Sequence, residues 1–289
     1  TVAEMQSPLE TPQVPQVSSQ PQPNPAEFSA AIQGSRRAFD THLSNYRDYH
    51  KPLNISLKDT FSIKIKGYTH TVQKGEGNTR IKELNPYNMT DTVAWHSVTP
   101  QYIYLSGKRT AEAYNQLIDQ FDVEHNPRYV PRDDQTFCNI FVWDVSVAMG
   151  VELPRWVEVN QVGDVEDATG KALGRTPAGH VIAEGVETAT ELNAARLAKW
   201  LNAQGENYGW REVTPQEAQQ RANQGYMTLS ASVEIKHIQV IRPTPDGRDY
   251  GEGVYLAQAG SSYATSNGVY FLEKYGQDEY HKYKFYTHD

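Results

Sequence analysis

The stretch TFCNIFVWDVSVAMG, residues 136–150, decides how this chain is read. Phe141, Val142, Val145 and Met149 follow Cys138 at helical spacings, which predicts a buried helix beginning at or near the cysteine. A thiol at a helix N-terminus feels the partial positive charge of unsatisfied backbone N–H groups, which favours the nucleophilic thiolate. The same N–H groups can stabilise an oxyanion, so the position suits acyl transfer. A lone cysteine on an apolar face also reads as core, because cysteine is among the most buried residue types. The choice between these readings depends on what surrounds it.

Downstream, Tyr226 to Val233, Ile235 to Arg242, Gly253 to Ala259, Gly268 to Leu272 and His281 to Thr287 read as strands. Turn formers such as Pro245, Asp246 and Gly247 separate them. His237 has the parity of Ile235, Gln239 and Ile241, and Gln258 that of Val254 and Leu256, so each falls on one face of its strand. An imidazole is a base suited to a thiol, and a polar neighbour can hold it in the tautomer that presents a bare nitrogen to sulfur. Ahead of the strands, Ala113, Leu117, Ile118 and Phe121 predict a helix over Thr110 to Phe121, and Leu192, Ala195, Trp200 and Leu201 another over Glu191 to Leu201. Thr214, Pro215 and Glu217 open a further helix that Gly225 closes. Helices first and antiparallel strands afterwards give an α+β domain.

The strings TFCNIFVWDVSVAMGVELPRW, ELNAARLAKWL, GWREVTPQEAQQRANQG, HIQVIRP and YLAQAGSS resemble successive motifs of CHAP-type peptidoglycan hydrolase domains. These are papain-like cysteine amidases and peptidases of phage lysins and bacterial wall-acting effectors. The resemblance covers about Tyr114 to Asp289. It implies a papain-like fold with helices packed on an antiparallel sheet, Cys138 as nucleophile, His237 as base and Gln258 as the residue that orients the base, with Asn267 as the alternative for that last place. It also implies cleavage of an amide or peptide bond of the peptidoglycan stem through a thioacyl-enzyme. Gln135 is the candidate oxyanion donor, with backbone N–H groups at Cys138 as the alternative. Asn139 and Trp156 are candidate substrate contacts. One departure is Lys236, where many such domains carry glycine directly before the histidine. Two rival readings are a structural or attachment component of a phage particle or secretion apparatus built on a hydrolase fold, and a papain-like toxin acting on a host protein.

The remaining sequence sets boundaries. Residues 1–25 hold six prolines and five glutamines and read as a tail or linker. Residues 26–108 read as an accessory region with a helix over 26–48 and a strand or hairpin over Ile55 to Val72, and residues 109–289 as the catalytic domain. A formal charge of −8 argues against capture of nucleic acid. No apolar run approaches the length of a membrane span, and TVAEMQSPLE lacks a basic or apolar leader. The expectation is a protein made in the cytoplasm that reaches the wall by lysis, on a virion or through a secretion apparatus, docking through its N-terminal region.

No cofactor or metal is expected. HExxH is absent, and a single cysteine excludes a multi-thiolate zinc site. Asp164, Glu166 and Asp167 read as a solvated loop, and Gly75, Gly77 and Gly170 lack the setting of a phosphate-binding loop.

Overall fold

Four helices carry most of the packing: α1 (Ala111–Asp119), α2 (Cys138–Ala148), α3 (Ala194–Gln204) and α4 (Pro215–Asn223). A helix start leaves backbone N–H groups unsatisfied, and three of these four have a side chain that answers one of them. Thr110 accepts from the Ala113 N–H at 3.2 Å, Asn193 from Arg196 at 2.9 Å and Thr214 from Glu217 at 3.1 Å. Helix α2 is the exception, because Phe137 supplies no side-chain cap. Every residue of α2 is buried, including the polar Asn139, Asp144 and Ser146, each of which is hydrogen-bonded.

The computed structural model describes residues 60–65, 68–74, 79, 98, 100–131, 135–154, 156–158, 172–173, 189–248 and 253–289. The expected tail over 1–25, the helix over 26–48, the acidic loop of Asp164, Glu166 and Asp167, and Gly75, Gly77 and Gly170 lie outside the described residues.

The main sheet has six strands: β7 (Arg211–Val213), β8 (Thr228–Ser232), β9 (His237–Ile241), β10 (Tyr255–Gln258), β11 (Ser266–Tyr270) and β12 (Lys284–Thr287). Their order is β11-β10-β9-β8-β12-β7, antiparallel at every pairing. Helices on an antiparallel sheet make an α+β architecture. Two smaller three-stranded sheets precede it. One is β1 (Thr60–Ile65), β2 (Tyr68–Lys74) and β3 (Tyr102–Gly107), whose β1–β2 hairpin falls where the alternation from Ile55 to Val72 places one. The other sets β4 (Trp156–Glu158) between β5 (Ala172–Leu173) and β6 (Ala189–Glu191).

The C-terminal part departs from the all-strand expectation. The strand expected through Leu272 ends at Tyr270, and α5 (Phe271–Lys274) and α6 (Gln277–Tyr280) follow before β12 begins. Aromatic packing explains the break. Phe271 is fully buried, with the rings of Tyr275, Tyr280 and Tyr283 at 5.0, 4.8 and 5.3 Å from its own, and a straight strand could not gather them around one side chain.

The division expected at residue 108 falls inside packed structure. Ile103 and Tyr104 of β3 belong to the same buried cluster as α1 and α2. Gln120 closes a reciprocal pair with Tyr102, accepting from its N–H at 3.1 Å and donating to its carbonyl at 2.9 Å. Asn126 donates to the Thr79 carbonyl at 2.7 Å. A Cβ on Gly150, which ends the α2 segment at φ 73°, would lie 2.6 Å from the Tyr104 carbonyl oxygen, so only glycine admits this approach.

Strand register positions the polar groups. Ser232 lies opposite His237, Ser230 opposite Gln239 and Thr228 opposite Ile241. Side chains alternate across a strand, so His237, Gln239 and Ile241 share one face while Ile238 and Val240 occupy the other. Lys236 turns the chain into β9 at φ 59°, the left-handed region usually left to glycine.

Candidate active site

Helix α2 packs against β9, which brings the residue at its first turn to the start of that strand. Cys138 is fully buried there. The backbone N–H groups of Ile238, Asn139 and Cys138 itself act on its thiol, each favouring the thiolate. Burial outweighs them and pushes the thiol up to about 12. His237, the residue before Ile238, is 3% exposed. Burial pushes its imidazole down to about 4, opposed by its hydrogen bond to Gln258. Burial therefore favours the neutral form of both groups, against the thiolate that the helix terminus favours.

The tautomer of His237 follows from its neighbours. Gln258 lies 2.7 Å from the Ala264 carbonyl, which can only accept, so the nearer amide atom must be Nε2. Gln258 Nε2 also donates to the Tyr275 hydroxyl at 2.8 Å. Its Oε1 then faces His237 Nε2 at 2.8 Å, and an amide oxygen cannot donate. The proton therefore sits on His237 Nε2, which leaves Nδ1 with a lone pair to accept a proton. Gln239 Nε2 donates to the same oxygen at 2.9 Å, and Ser230 Oγ donates to Gln239 Oε1 at 2.7 Å. This relay fixes the Gln258 amide from both sides. Gly260 closes the edge of the ring, since a Cβ there would stand 3.5 Å from His237 Cε1 and 2.9 Å from the Ala264 Cβ.

The arrangement couples folding to pH. Between about 4 and 6.5 the unfolded imidazole binds a proton that the folded one refuses. Stability from this group is complete above 6.5 and is lost as pH falls toward 4, by on the order of 3 kcal/mol. Urea unfolding of wild type and His237→Asn at pH 7 and pH 4.5 is expected to show this loss only in the wild type. Equal losses in both would show that another group carries the acid sensitivity.

The residues singled out in the sequence fall unevenly around this centre. His237 and Gln258 are hydrogen-bonded, and the Cys138 thiol lies at the N–H of Ile238, the next residue along β9. Asn267 does not join them: its amide donates to Asp119 at 3.0 Å and its backbone N–H to Glu124 at 2.8 Å, so of the two it is Gln258 that meets the imidazole. Asn139 is buried and donates to the Leu192 carbonyl at 3.1 Å, tying α2 to the chain that enters α3. Its Oδ1 has no hydrogen-bond partner among the described residues. Gln135 is buried in the segment leading into α2. Trp156 is in β4, with its side chain outside the described residues.

Sequence reasoning missed several members. Gln239 was visible as a polar residue on the parity of His237, a signal that it shares the face. Tyr275 gave none, because its contact with Gln258 depends on the turn into α5 that the strand reading did not foresee; the Arg128–Asp144 pair, which stiffens α2, was equally silent. Arg128 and Asp144 are bound bidentately at 2.8 and 3.1 Å, and Tyr129 donates to the same carboxylate at 2.6 Å, all within the core beside α2.

Among the described residues, no group of three or more His, Cys, Asp or Glu could hold a metal ion, and no helix is long and apolar enough to cross a membrane. No protein-family model matches this chain, and no curated protein matches it.

Proposed function

We propose that this chain is a cysteine hydrolase that cleaves an amide or peptide bond in the stem peptide of peptidoglycan, built on a papain-like plan. The observation that carries the chemistry is the hydrogen bond from His237 to Gln258, which turns a bare Nδ1 to the base's task at the strand against which the Cys138 thiol lies. The substrate class rests on the resemblance of the five sequence strings. Lys236 fits the same pattern, since it adopts the backbone conformation for which glycine is the ordinary residue at that place.

The reaction begins with the neutral pair. As sulfur attacks the scissile carbonyl carbon, the thiol proton passes to His237 Nδ1 and the carbonyl electron pair moves to oxygen. Backbone N–H groups at the start of α2 receive that oxygen, with Gln135 as a side-chain candidate for the same role. Collapse expels the amine, which takes the proton from His237 and leaves a thioacyl-enzyme. Water, deprotonated by the same imidazole, then attacks the acyl carbon; the C–S bond breaks, the acid leaves and sulfur takes the proton back from His237.

One observation favours a rival. Cys138 has no exposed surface, so a polymer substrate reaches sulfur only after the chain around it opens. That suits an attachment component whose hydrolase fold is latent. Incubating purified sacculi with wild type and with Cys138→Ala, then identifying the released fragments by mass spectrometry, separates the readings. New amine and carboxyl termini in the stem peptide with wild type only are expected. Intact sacculi with both proteins would remove peptidoglycan as the substrate.

A further inference from the structure

Tyr283 is a buried phenol that nothing described so far uses. It is 6% exposed, and its hydroxyl has no hydrogen-bond partner among the described residues. Buried hydroxyls ordinarily find a partner, so one without calls for a reason. The ring is held edge-on by Phe271 at 5.3 Å and is not left to seek water.

Register places this phenol beside the reacting pair. Lys284 opens β12 opposite Ala231, and Tyr283 is the residue just before it, while Ser232, the next residue of β8, lies opposite His237. Tyr283 thus enters β12 at the end of the sheet where β8 gives way to β9, the end that carries Ser232 and His237. Ser232 Oγ is already engaged by the Ile235 N–H at 3.0 Å. The groups that act electrostatically on the Tyr283 hydroxyl are Tyr275, Glu279 and Cys138. Tyr275 is the phenol that receives the Gln258 amide, so two of the three belong to the site.

We infer that Tyr283 is a further member of this site, and that its hydroxyl donates a hydrogen bond to the carbonyl oxygen of the substrate as negative charge develops there. The inference rests on the hydrolase reading above. It explains why the hydroxyl is unsatisfied at rest: its acceptor arrives with the substrate. Sulfur forms the new bond to carbon, the carbonyl pair moves to oxygen, the thiol proton goes to His237, and the Tyr283 O–H points at that oxygen without losing its proton.

The test compares two small reagents that need the same access to Cys138. Acylation by p-nitrophenyl acetate passes through a tetrahedral oxyanion, whereas alkylation by iodoacetamide displaces iodide and forms none. Tyr283→Phe is expected to slow acylation by about 10²-fold, to leave alkylation unchanged, and to raise Tm by ~2–4 °C because a buried unpaired hydroxyl is removed. An unchanged ratio of acylation to alkylation would overturn the assignment, whether both rates held or both fell together. So would a lower Tm, which would mean that the hydroxyl has a partner at rest. With Cys138→Ala as blank, failure of wild-type Cys138 to react with either reagent would overturn the hydrolase reading and the role of Tyr283 with it. Equal ratios in reactive proteins would overturn the role of Tyr283 alone.

Discussion

Cys138→Ser is expected to lose hydrolysis by roughly 10³-fold or more while keeping its fold. The change replaces sulfur by a smaller atom that the Ile238 N–H can still serve, so the core around α2 stays filled. The chemistry does not survive it. An imidazole pushed down to about 4 is a weak base, and a serine hydroxyl is far harder to deprotonate than even a thiol pushed up to about 12. A stopped assay of product release from peptidoglycan fragments, alongside thermal melts of both proteins, checks both halves. Wild-type turnover in the serine variant would remove Cys138 as nucleophile.

The same two values set the pH profile. The wild-type rate should fall only as pH drops toward the imidazole's value of about 4, where a protonated ring can no longer accept. The opposite limb lies near about 12, so kcat/KM is expected to be flat across neutrality, not peaked there.

Asp144→Ala is the substitution expected to cost most in stability. It removes the carboxylate that grips the Arg128 guanidinium at 2.8 and 3.1 Å, and the Arg128 side chain has no exposed surface. Breaking a buried ion pair from one side costs about 3–5 kcal/mol, because the remaining buried charge loses its counter-charge. Set against a total of roughly 5–15 kcal/mol for an ordinary domain, that loss unfolds a large share of the molecules on warming. Asp144 lies on α2, so the loss also loosens the element that carries Cys138. Denaturant titration of wild type, Asp144→Ala and Asp144→Asn measures it, with the asparagine expected between the other two because it can still accept from Tyr129. A loss under about 1 kcal/mol in the alanine variant would mean that Arg128 finds another partner.

Much of the α+β organisation was legible because its signals are local. The spacing of Phe141, Val142, Val145 and Met149 marks α2 within a residue of its start, and Thr214 with Pro215 marks the first turn of α4. Even there the sequence overreads: Glu217 does not return to its cap but pairs with Arg211 at 2.7 Å. The parity of His237 and Gln258 carried over into contact because alternation in a strand is obligatory. The segment from Phe271 to Tyr283 was not legible, since closely spaced aromatic residues satisfy a strand pattern and a folded aromatic cluster equally well. Nor was the neutrality of the thiol and imidazole, since burial is a property of the whole assembly and outweighs the helix terminus that local reasoning detects.

The seam between the front sheet and the helices has a consequence for recombining this chain with others. Val98, Ile103 and Tyr104 contribute to the core, and the Tyr104 carbonyl occupies the place a side chain on Gly150 would fill. A splice at residue 108 would hand the foreign partner a raw apolar flank of α1 and α2, and would leave Gln120 and Asn126 without the backbone they hold. A fusion that keeps its natural neighbours therefore has to be joined ahead of Thr79, so the portable cassette is longer than the portion that holds Cys138, His237 and Gln258.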